Sequence, residues 1–393
     1  MNWRAMLPSI MTFLLSAIGV TGCVWPEPGP GDPVPAIEAS ASWSASADTV
    51  TINVQVSDLA PTTVRLFPRG LQGEWLEIDK VPPFSFTLEA SAFAPGSHKM
   101  WIIADDGSTY VGDEAVVNIS GCNGYHYLCD RGYDEVRYAT THNAMSSAAD
   151  GWTGPNQNLD VPAQLAAGVR ALMLDTYRAG SLSFLGTIQV PDADPDSSYL
   201  CHSLCSIGRQ DLAQGLTEIR EFLDQNPGAV ITLIIESYLS HALTAEAFAT
   251  AELTPYAYQH PGGPWPTLGE MVDANTRLVV LQDRSVDADY PWLMYVWDHA
   301  FETHFSNSQP SDFSCTDNRG SPGAALFILN HFLTDLFGSP ELSEQVNYNP
   351  LLTERILECE VFQGAMANFV TVDFVDIGDT LSTVESLNAA GGF

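Results

Sequence analysis

The feature that most limits the possible fold is a regular succession of apolar runs and amphipathic stretches after Cys122. The runs read GVRALMLDTY, GAVITLIIESY, TRLVVLQDR, GAALFILNHFL and NFVTVDFV, and helical stretches such as LAQGLTEIREFLDQN lie between them. Apolar strands separated by helices are typical of a parallel sheet that is covered on both faces. The runs end in polar residues, namely Asp175, Glu236, Asp283, Asn330 with His331, and Asp373.

Polar strand ends favour a closed barrel, because the carboxyl ends of barrel strands together form the reaction face. An open, doubly wound sheet shares part of this pattern, but no G-x-G-x-x-G follows the first strand. We therefore predict an α/β fold, with a (β/α)8 TIM-type barrel over residues 121–393.

Residues 37–120 follow a different pattern, in which short segments alternate polar and apolar residues. The segments are TVTINVQVSD, TVRLFP, PFSFTLEAS, HKMWIIADD and DEAVVNIS. Period-two alternation with turn residues between the segments predicts antiparallel strands. The stretch PPFSFTLEASAFAPGSHKMWIIADDG resembles bacterial immunoglobulin-like modules, which implies a small all-β Ig-like sandwich. No catalytic cluster lies in it, so we expect a spacer or adhesive module whose partner is unknown.

The N-terminus carries the parts of a secretory signal over residues 1–22: one arginine, a short apolar core and small residues before a cysteine. The sequence VTGC around Cys23 resembles a bacterial lipobox, which implies lipidation of Cys23. The alternative is an ordinary signal peptide in which Cys23 is incidental. Residues 23–36 are rich in Pro and Gly and predict an extended tether. We expect an exported protein, lipid-anchored to the bacterial outer membrane or cell surface.

Cysteine usage and charge agree with export. An even set of cysteines besides Cys23 favours disulfides in an exported chain. Local spacing suggests Cys122–Cys129 and Cys201–Cys205, which leaves Cys315 with Cys359, although other pairings are open. The formal net charge of −33 excludes nucleic acid as a natural partner, because phosphate binding needs clustered Lys and Arg. Membrane contact would come from the N-terminal lipid or from apolar loops.

Two histidines are the candidate catalytic residues. His142 follows the strand-like VRYATT, and His202 lies in YLCHSLC. An imidazole exchanges protons readily near neutral pH, so two of them at neighbouring strand ends can act as general base and general acid. A histidine next to a strand more often makes a structural hydrogen bond, so neither histidine alone identifies a catalytic site.

The frame around these histidines resembles the X region of phosphatidylinositol-specific phospholipase C, over essentially all of residues 122–385. The motifs are THNAM, PNQNLDVPAQLAAGVRALMLDTY, LCHSLC and GAVITLIIESY, followed by RLVVLQDR, SCTDNRG, ILNHFLT and NFVTVDF. They look most like the exported PLC-like phosphodiesterase branch. This resemblance implies a barrel enzyme that cleaves a phospholipid or another phosphodiester.

The resemblance also implies roles for the two histidines. His142 matches the family histidine that contacts the phosphate and the attacking 2-hydroxyl of inositol. His202 matches the general acid that protonates the departing diacylglycerol oxygen, so a cyclic inositol phosphate is the expected product. Asp373 would orient His142, or would instead hold a backbone loop.

A divalent cation is the expected cofactor, with Ca2+ favoured over Mg2+. Asn143, Asp175 and Glu236 match three metal-ligand positions of calcium-dependent members, while Met173 replaces a fourth, acidic one. Metal-independent members place an arginine where this chain has Asp175, and a carboxylate cannot neutralise phosphate as an arginine does. The alternative is that Asp175 and Glu236 orient the histidines and bind no metal.

Two further residues are candidates for substrate binding. Arg170 either braces the barrel or meets substrate, and His331 ends a strand on the expected active face. Only Arg284 lies near the end of LVVLQDR, which makes polyphosphoinositides poor substrates. The alternatives for function are a phosphodiesterase for another headgroup (a glycerophosphodiester, a sphingolipid or a glycosyl-inositol anchor) and an inactive surface binding protein.

Overall fold

The structure of the chain is a computed structural model. It describes residues 35–61, 63–68, 76–78, 82–178, 182–183, 186–187, 197–202, 205–321, 323–335 and 337–391. The predicted signal, Cys23 and almost all of the predicted tether lie outside the described residues. Within the described part of the chain, no helix is both long enough and apolar enough to cross a membrane.

The N-terminal part consists of two antiparallel sheets. Strands β1, β2 and β5 form one sheet in that order, and β4, β3, β6 and β7 form the other. Their bounds are β1 Ala36–Ser44, β2 Thr49–Ser57, β3 Thr63–Pro68, β4 Leu76–Ile78, β5 Phe84–Glu89, β6 Gly96–Asp105 and β7 Tyr110–Ile119.

Alternation along these strands builds one shared core, because successive side chains of a strand point to opposite faces. Val50, Ile52 and Val54 of β2 are buried, and Met100, Ile102 and Ala104 of β6 belong to the same cluster. Every segment that the alternation predicts as a strand is a strand. The Ig-like assignment and the limits 37–120 stay predictions.

The rest of the chain is a mixed α/β unit around one curled sheet. Its strands are β8 Tyr138–Thr141, β9 Ala171–Arg178, β10 Leu182–Ser183, β11 Gly186–Thr187, β12 Ser198–Leu200, β13 Gln210–Asp211, β14 Ile231–Ser237, β15 Leu278–Gln282, β16 Leu293–Tyr295, β17 Ala300–Thr303, β18 Asp317–Gly320, β19 Leu326–Asn330 and β20 Phe369–Val372. Its helices are α1 Val161–Ala167, α2 Leu212–Gln225, α3 His241–Thr250, α4 Leu268–Asp273, α5 Val296–His299, α6 Pro340–Val346, α7 Leu351–Gln363 and α8 Thr380–Ala390.

Eight strands of this sheet run parallel in the order β16, β15, β14, β9, β8, β20, β19 and β17. Among the described residues, β16 and β17 at the two ends share no ladder. The short helix α5 alone joins them, whereas parallel neighbours usually need a connection of a dozen or more residues. The structure thus shows the predicted α/β class and a curled parallel sheet, and the fully closed barrel stays a prediction.

Apolar side chains fill the inside of the curled sheet, and helices cover its outside. Ala171, Val279, Ile328 and Phe369 come from different strands and meet in one buried cluster. On the outside, α2 buries Leu216, Ile219 and Leu223 along one face, and the side chain of Asp211 caps its N-terminus. This packing fixes the strand ends, from which the polar residues project.

Three disulfides tie the α/β unit together: Cys122–Cys129, Cys201–Cys205 and Cys315–Cys359. This is the pairing that local spacing suggests. The third bridge closes a loop of 44 residues, and closing a loop of this size restricts the unfolded chain.

One carboxylate joins the N-terminal sheets to the α/β unit. Asp273, the last residue of α4, accepts hydrogen bonds from Ala45 N at 2.8 Å, Ser46 N at 3.1 Å, Ser44 Oγ at 2.9 Å and Ser46 Oγ at 2.5 Å. Burial alone would raise the pKa of Asp273, but the hydrogen bonds from Ser46, Ala45 and Ser44 together lower it below 3.8.

We expect Asp273→Ala to lower the free energy of unfolding by about 1–2 kcal/mol at pH 7, because it leaves several donors without their acceptor. A lowered pKa in the folded state stabilises the protein above the unfolded value and loses this effect as pH falls through the folded value. The difference between variant and wild type should therefore narrow below pH 3.8. Urea unfolding at pH 7 and at a pH below 3.8 measures this difference in the free energy of unfolding, with Asp289→Ala as an exposed control. An equal difference at both pH values would contradict the assignment.

Candidate active site

A layer of polar side chains lies next to the apolar interior of the curled sheet, towards the carboxyl ends of its parallel strands. Along β9 the interior positions are Ala171, Met173 and then Asp175, since every second residue points the same way. The register pairs Asp175 with Glu236 on β14. The end of β15 adds Asp283, β17 adds Glu302, β19 adds Asn330 and the end of β20 adds Asp373.

This layer forms the floor of a cleft of about 330 Å3. The cleft brings together most of the residues that the sequence nominates, drawn from strand ends that are far apart in the chain. They are His142, Asn143, Asp175, His202, Glu236 and Asp373. Arg170 and His331 do not line it.

His142 is held from two directions. Its Nδ1 lies 2.9 Å from Asp373 Oδ1, and its ring stacks on Phe332 with a centroid distance of 3.9 Å and an interplanar angle of 8°. A carboxylate only accepts hydrogen bonds, so Nδ1 carries the proton and Nε2 is the nitrogen left with a lone pair. The ring therefore offers a base towards the cleft.

The backbone around His142 is also fixed. Gln157 Nε2 donates to His142 O at 2.9 Å and to Val372 O at 3.1 Å, and Val375 N donates to Gln157 Oε1. One buried side chain thus joins the end of β8 to the end of β20. This arrangement sets the spacing between His142 and Asp373.

His202 is the second histidine that lines the cleft. It follows Cys201, which is buried and bonded to Cys205, while the imidazole itself is exposed. The ring keeps contact with solvent, but the surrounding cleft partly desolvates it and so lowers the pKa of His202, and charge on His142 lowers it further. Both imidazoles line the same cleft.

Three carboxyl groups lie side by side at the ends of β9, β14 and β15. Burial raises the pKa of Asp175 well above its usual range, and the charges of Glu236 and Asp283 add to this. Burial likewise raises the pKa of Asp283. Among the described residues none donates a hydrogen bond to the Asp175 carboxylate, whereas Tyr238 donates to Glu236 and Ser237 N donates to Asp283. Within the described part of the chain, Asp175 is thus a buried acid without a hydrogen-bond donor.

The donor chemistry of this corner fits a hard cation. In the described part of the chain, no group of three or more His, Cys, Asp or Glu is arranged to hold a metal. The candidate set that the sequence predicts, the Asn143 amide oxygen with the Asp175 and Glu236 carboxylates, lines the same cleft. Calcium accepts six to eight oxygens, so water and substrate oxygens would complete such a site.

A second polar cluster on the cleft wall was not nominated from the sequence. Glu302 is buried and accepts hydrogen bonds from Arg319 Nε at 2.6 Å, Asn318 Nδ2 at 3.0 Å and Asn330 Nδ2 at 3.1 Å. The Arg319 guanidinium lies 4.8 Å from the ring centre of Trp297 and 4.9 Å from that of Phe305. Arg319 is therefore a cation fixed at the cleft, 46% exposed and open to a ligand.

The structure places the two remaining nominated residues elsewhere. Arg170 immediately precedes β9 and donates to the Leu165 and Val169 carbonyls, away from the cleft that Asp175 lines, which agrees with bracing and not with substrate binding. His331 is fully buried and pairs through Nε2 with Val346 O at 2.8 Å. Burial lowers its pKa to about 3. These contacts argue against the predicted substrate contact of His331, because its side chain leaves the strand on the outer face.

Residues 128–388 match the sequence profile of the family described as PI-PLC X 1. The chain belongs to the PI-PLC X family. This confirms the family that the THNAM and LCHSLC motifs predict, and it indicates a phosphodiesterase-like function.

Three relatives are identical to this chain at about a quarter of the aligned positions. PI-PLC X domain-containing protein 1 of Arthroderma benhamiae is 26% identical over 294 residues, which cover 68% of this chain and 89% of that protein. A PI-PLC X domain-containing protein of Arabidopsis thaliana is 28% identical over 284 residues, covering 66% and 62%. An uncharacterized secreted protein of A. benhamiae is 27% identical over 297 residues, covering 68% and 63%. The matched part is less than two thirds of the second and third relatives.

Solved structures add no argument about the fold. A β-glucuronidase from Ruminococcus gnavus in complex with D-glucaro 1,5-lactone is 12% identical, and the alignment covers 87% of this chain and 54% of that chain. Its TM-score of 0.24 is too low to support any inference.

Within the PI-PLC X frame, sequence reasoning missed Asn156, Glu302, Arg319 and Phe332 as parts of the site. Asn156 lies inside the quoted PNQNLD segment and Arg319 inside SCTDNRG, but nothing in the sequence indicates that their side chains belong to the site. Asn156 and Phe332 lie outside the strands, Arg319 lies on the antiparallel strand β18, and Glu302 lies on β17, which none of the quoted apolar runs covers.

Proposed function

We propose that this chain is a phosphodiesterase that cleaves phosphatidylinositol-type lipids by general acid–base catalysis. The observation that carries the proposal is the joint presence of His142 and His202 in one cleft, with His142 hydrogen-bonded to Asp373. His142 Nε2 takes the proton from the attacking hydroxyl. His202 gives a proton to the leaving alcohol oxygen.

The chemistry needs little beyond these proton transfers and charge stabilisation. In phosphatidylinositol the 2-hydroxyl is held next to phosphorus, so attack is intramolecular and proximity supplies much of the rate. The product would be a cyclic inositol phosphate. Asp373 keeps the imidazole of His142 in the tautomer that accepts the proton and stabilises the imidazolium that forms.

The acidic corner supports a divalent cation, Ca2+ before Mg2+, as the partner of the substrate phosphate. Six carboxylic residues line the cleft, namely Asp175, Glu236, Asp283, Glu302, Asp335 and Asp373. An anionic phosphodiester does not enter such a cleft without a counter-charge. When bound by Asn143, Asp175 and Glu236, the cation supplies that counter-charge and stabilises charge on the phosphoryl oxygens.

The size and lining of the cleft suit a polar headgroup. A volume of about 330 Å3 is at the lower end of the range for small-molecule sites. Arg319 and Glu302 offer a donor and an acceptor for headgroup hydroxyls, and Trp297 and Phe305 add an apolar wall. A headgroup with several hydroxyls can pair with both the Arg319 donor and the Glu302 acceptor.

Product analysis on a panel of phosphodiesters tests this function. The panel comprises phosphatidylinositol, a glycerophosphodiester, sphingomyelin and a glycosyl-inositol lipid, each with Ca2+ and with excess EDTA. Cleavage of phosphatidylinositol to a cyclic product, lost in EDTA, supports the proposal. Preference for another member would reassign the headgroup, and no cleavage of any member would indicate a surface binding protein without activity.

The pKa of His202 sets the expected pH dependence. A general acid must be protonated in the free enzyme, and the pKa of His202 lies below its usual 6.5. The protonated fraction therefore falls as pH rises through that lowered value, and kcat/KM falls with it. We expect the decline of kcat/KM to begin below pH 6.5. A profile that stays flat from pH 5 to pH 8 would remove His202 as the acid.

We also propose the finer architecture and address that the sequence predicts: a closed (β/α)8 barrel behind an Ig-like sandwich, in an exported protein anchored to a membrane through lipidated Cys23. A relative named as secreted supports export. Cys23→Ala should move the protein from the membrane fraction to the soluble fraction, as immunoblots of cell fractions would show. Retention in the membrane fraction would contradict the anchor.

A further inference from the structure

Asn156 connects two groups that the proposed chemistry uses. It is buried, and its Nδ2 lies 3.2 Å from each carboxylate oxygen of Asp373. Its Oδ1 accepts a hydrogen bond from Asn143 Nδ2 at 3.3 Å. One side chain thus touches both the partner of His142 and a candidate cation ligand.

The orientations of the Asn156 and Asn143 amides follow from the Asp373 carboxylate, which cannot donate a hydrogen bond. The Asp373 carboxylate accepts hydrogen bonds, so the NH2 group of Asn156 must face it. The Asn156 oxygen then faces Asn143 and requires the NH2 group of Asn143. The oxygen of Asn143 is the end that remains for the cleft.

Asn156 is itself fixed by its backbone. Asn156 N donates to Ser146 O at 2.9 Å, and Phe374 N donates to Asn156 O at 2.8 Å. These bonds tie it to the segment after β8 and to the segment after β20. Its side chain therefore starts from a fixed point between Asn143 and Asp373.

We propose that Asn156 is a positioning residue for phosphodiester cleavage: its amide fixes the Asp373 carboxylate against His142 and turns the oxygen of Asn143 towards the cleft. This inference rests on the proposed function. Without the amide, the Asp373 carboxylate loses both hydrogen bonds that orient it and can rotate away from His142 Nδ1. Loss of a partner that orients a catalytic group typically lowers activity about 10–100-fold.

The chain contains a matched control. Asn158 Nδ2 donates to Asp376 at 3.1 and 3.3 Å, which is the same kind of amide–carboxylate contact between the same two segments, outside the histidine network. Asn158→Ala removes that contact and leaves Asp373 and Asn143 untouched. Asn158→Ala therefore measures the effect on kcat of losing an amide–carboxylate contact outside the histidine network.

The test compares Asn156→Ala, Asn156→Asp and Asn158→Ala on the full chain. We expect about a 10–100-fold loss of kcat for Asn156→Ala with KM changed less than about threefold, and a larger loss for Asn156→Asp, which has nearly the same size but places a second carboxylate against Asp373. Asn158→Ala should keep kcat within about twofold. Equal kcat in Asn156→Ala and wild type, or equal losses in both alanine variants, would overturn the proposal.

A spectroscopic measurement separates this inference from the proposed function. The proton on His142 Nδ1 that faces Asp373 should give a downfield 1H resonance, assigned by its loss in His142→Ala. We expect it to shift or vanish in both Asn156 variants and to persist in Asn158→Ala. If the wild type cleaves no phosphodiester, the proposed function fails, and an unchanged resonance in both Asn156 variants would still overturn the positioning role.

Discussion

Replacing either His142 or His202 with alanine should lower kcat about 10²–10⁴-fold, the contribution typical of general acid–base catalysis. The physical reason differs between the two. His142→Ala removes the base that Asp373 and Phe332 hold in place, whereas His202→Ala leaves the leaving alkoxide without a proton donor. The double variant should be little worse than the poorer single variant, because residues that act as a unit are not additive.

Steady-state kinetics on phosphatidylinositol in detergent micelles measure these losses. His304→Ala is the control, since His304 is exposed and lies outside the cleft. A water-soluble substrate with a better leaving group should partly rescue His202→Ala and not His142→Ala, because it needs less protonation of the leaving oxygen. Turnover of the double variant at the wild-type rate would remove the histidine pair from the mechanism.

Asp175→Asn should stabilise the protein while it weakens activity. The raised pKa of Asp175 comes first from burial and then from Glu236 and Asp283, so the folded state favours its protonated form. A group whose pKa is raised in the folded state lowers stability as pH rises above its unfolded value. At pH 7 in EDTA, the neutral asparagine removes that cost, and Tm should rise above that of the wild type.

Added Ca2+ should reverse this order. A ligand that binds only the folded state raises Tm with its concentration, so the wild type should gain Tm and Asp175→Asn should not. In the presence of Ca2+, we expect kcat of Asp175→Asn to be about 100-fold or more below that of the wild type, because the variant loses several kcal/mol of charge stabilisation. Thermal unfolding at several Ca2+ concentrations provides the measurement, with Asp289→Asn as control. A wild-type Tm that does not respond to Ca2+ or Mg2+ would contradict the cation site.

The apolar runs with polar ends predict much of the α/β unit correctly, because burial and strand periodicity are local properties of the sequence. GVRALMLDTY became β9 with Asp175 at the cleft, and NFVTVDFV became β20 with Asp373 beside His142. The alternation in residues 37–120 likewise predicts β2, β3, β5, β6 and β7 of the two N-terminal sheets, but not β1 or β4. In each case the side-chain direction follows from the period of the strand.

The parts that the sequence does not predict depend on neighbours distant in the chain. His331 follows Asn330, the last residue of β19, and this shift of one residue turns its ring outwards, where Val346 O pairs with it. Arg319 reaches the cleft from β18, an antiparallel addition to the sheet, through its contact with Glu302. Asn156 acquires its role only when the segments after β8 and β20 meet. No periodicity marks these positions.

Phosphorus NMR of phosphatidylinositol incubated with the full chain tests the account most directly. With Ca2+ the wild type should convert the lipid signal to that of a cyclic inositol phosphodiester, followed by slower conversion to the open monoester, while the His142→Ala, His202→Ala double variant leaves the lipid signal unchanged. A lipid signal that is unchanged by the wild type, or that disappears equally with the double variant, would contradict it.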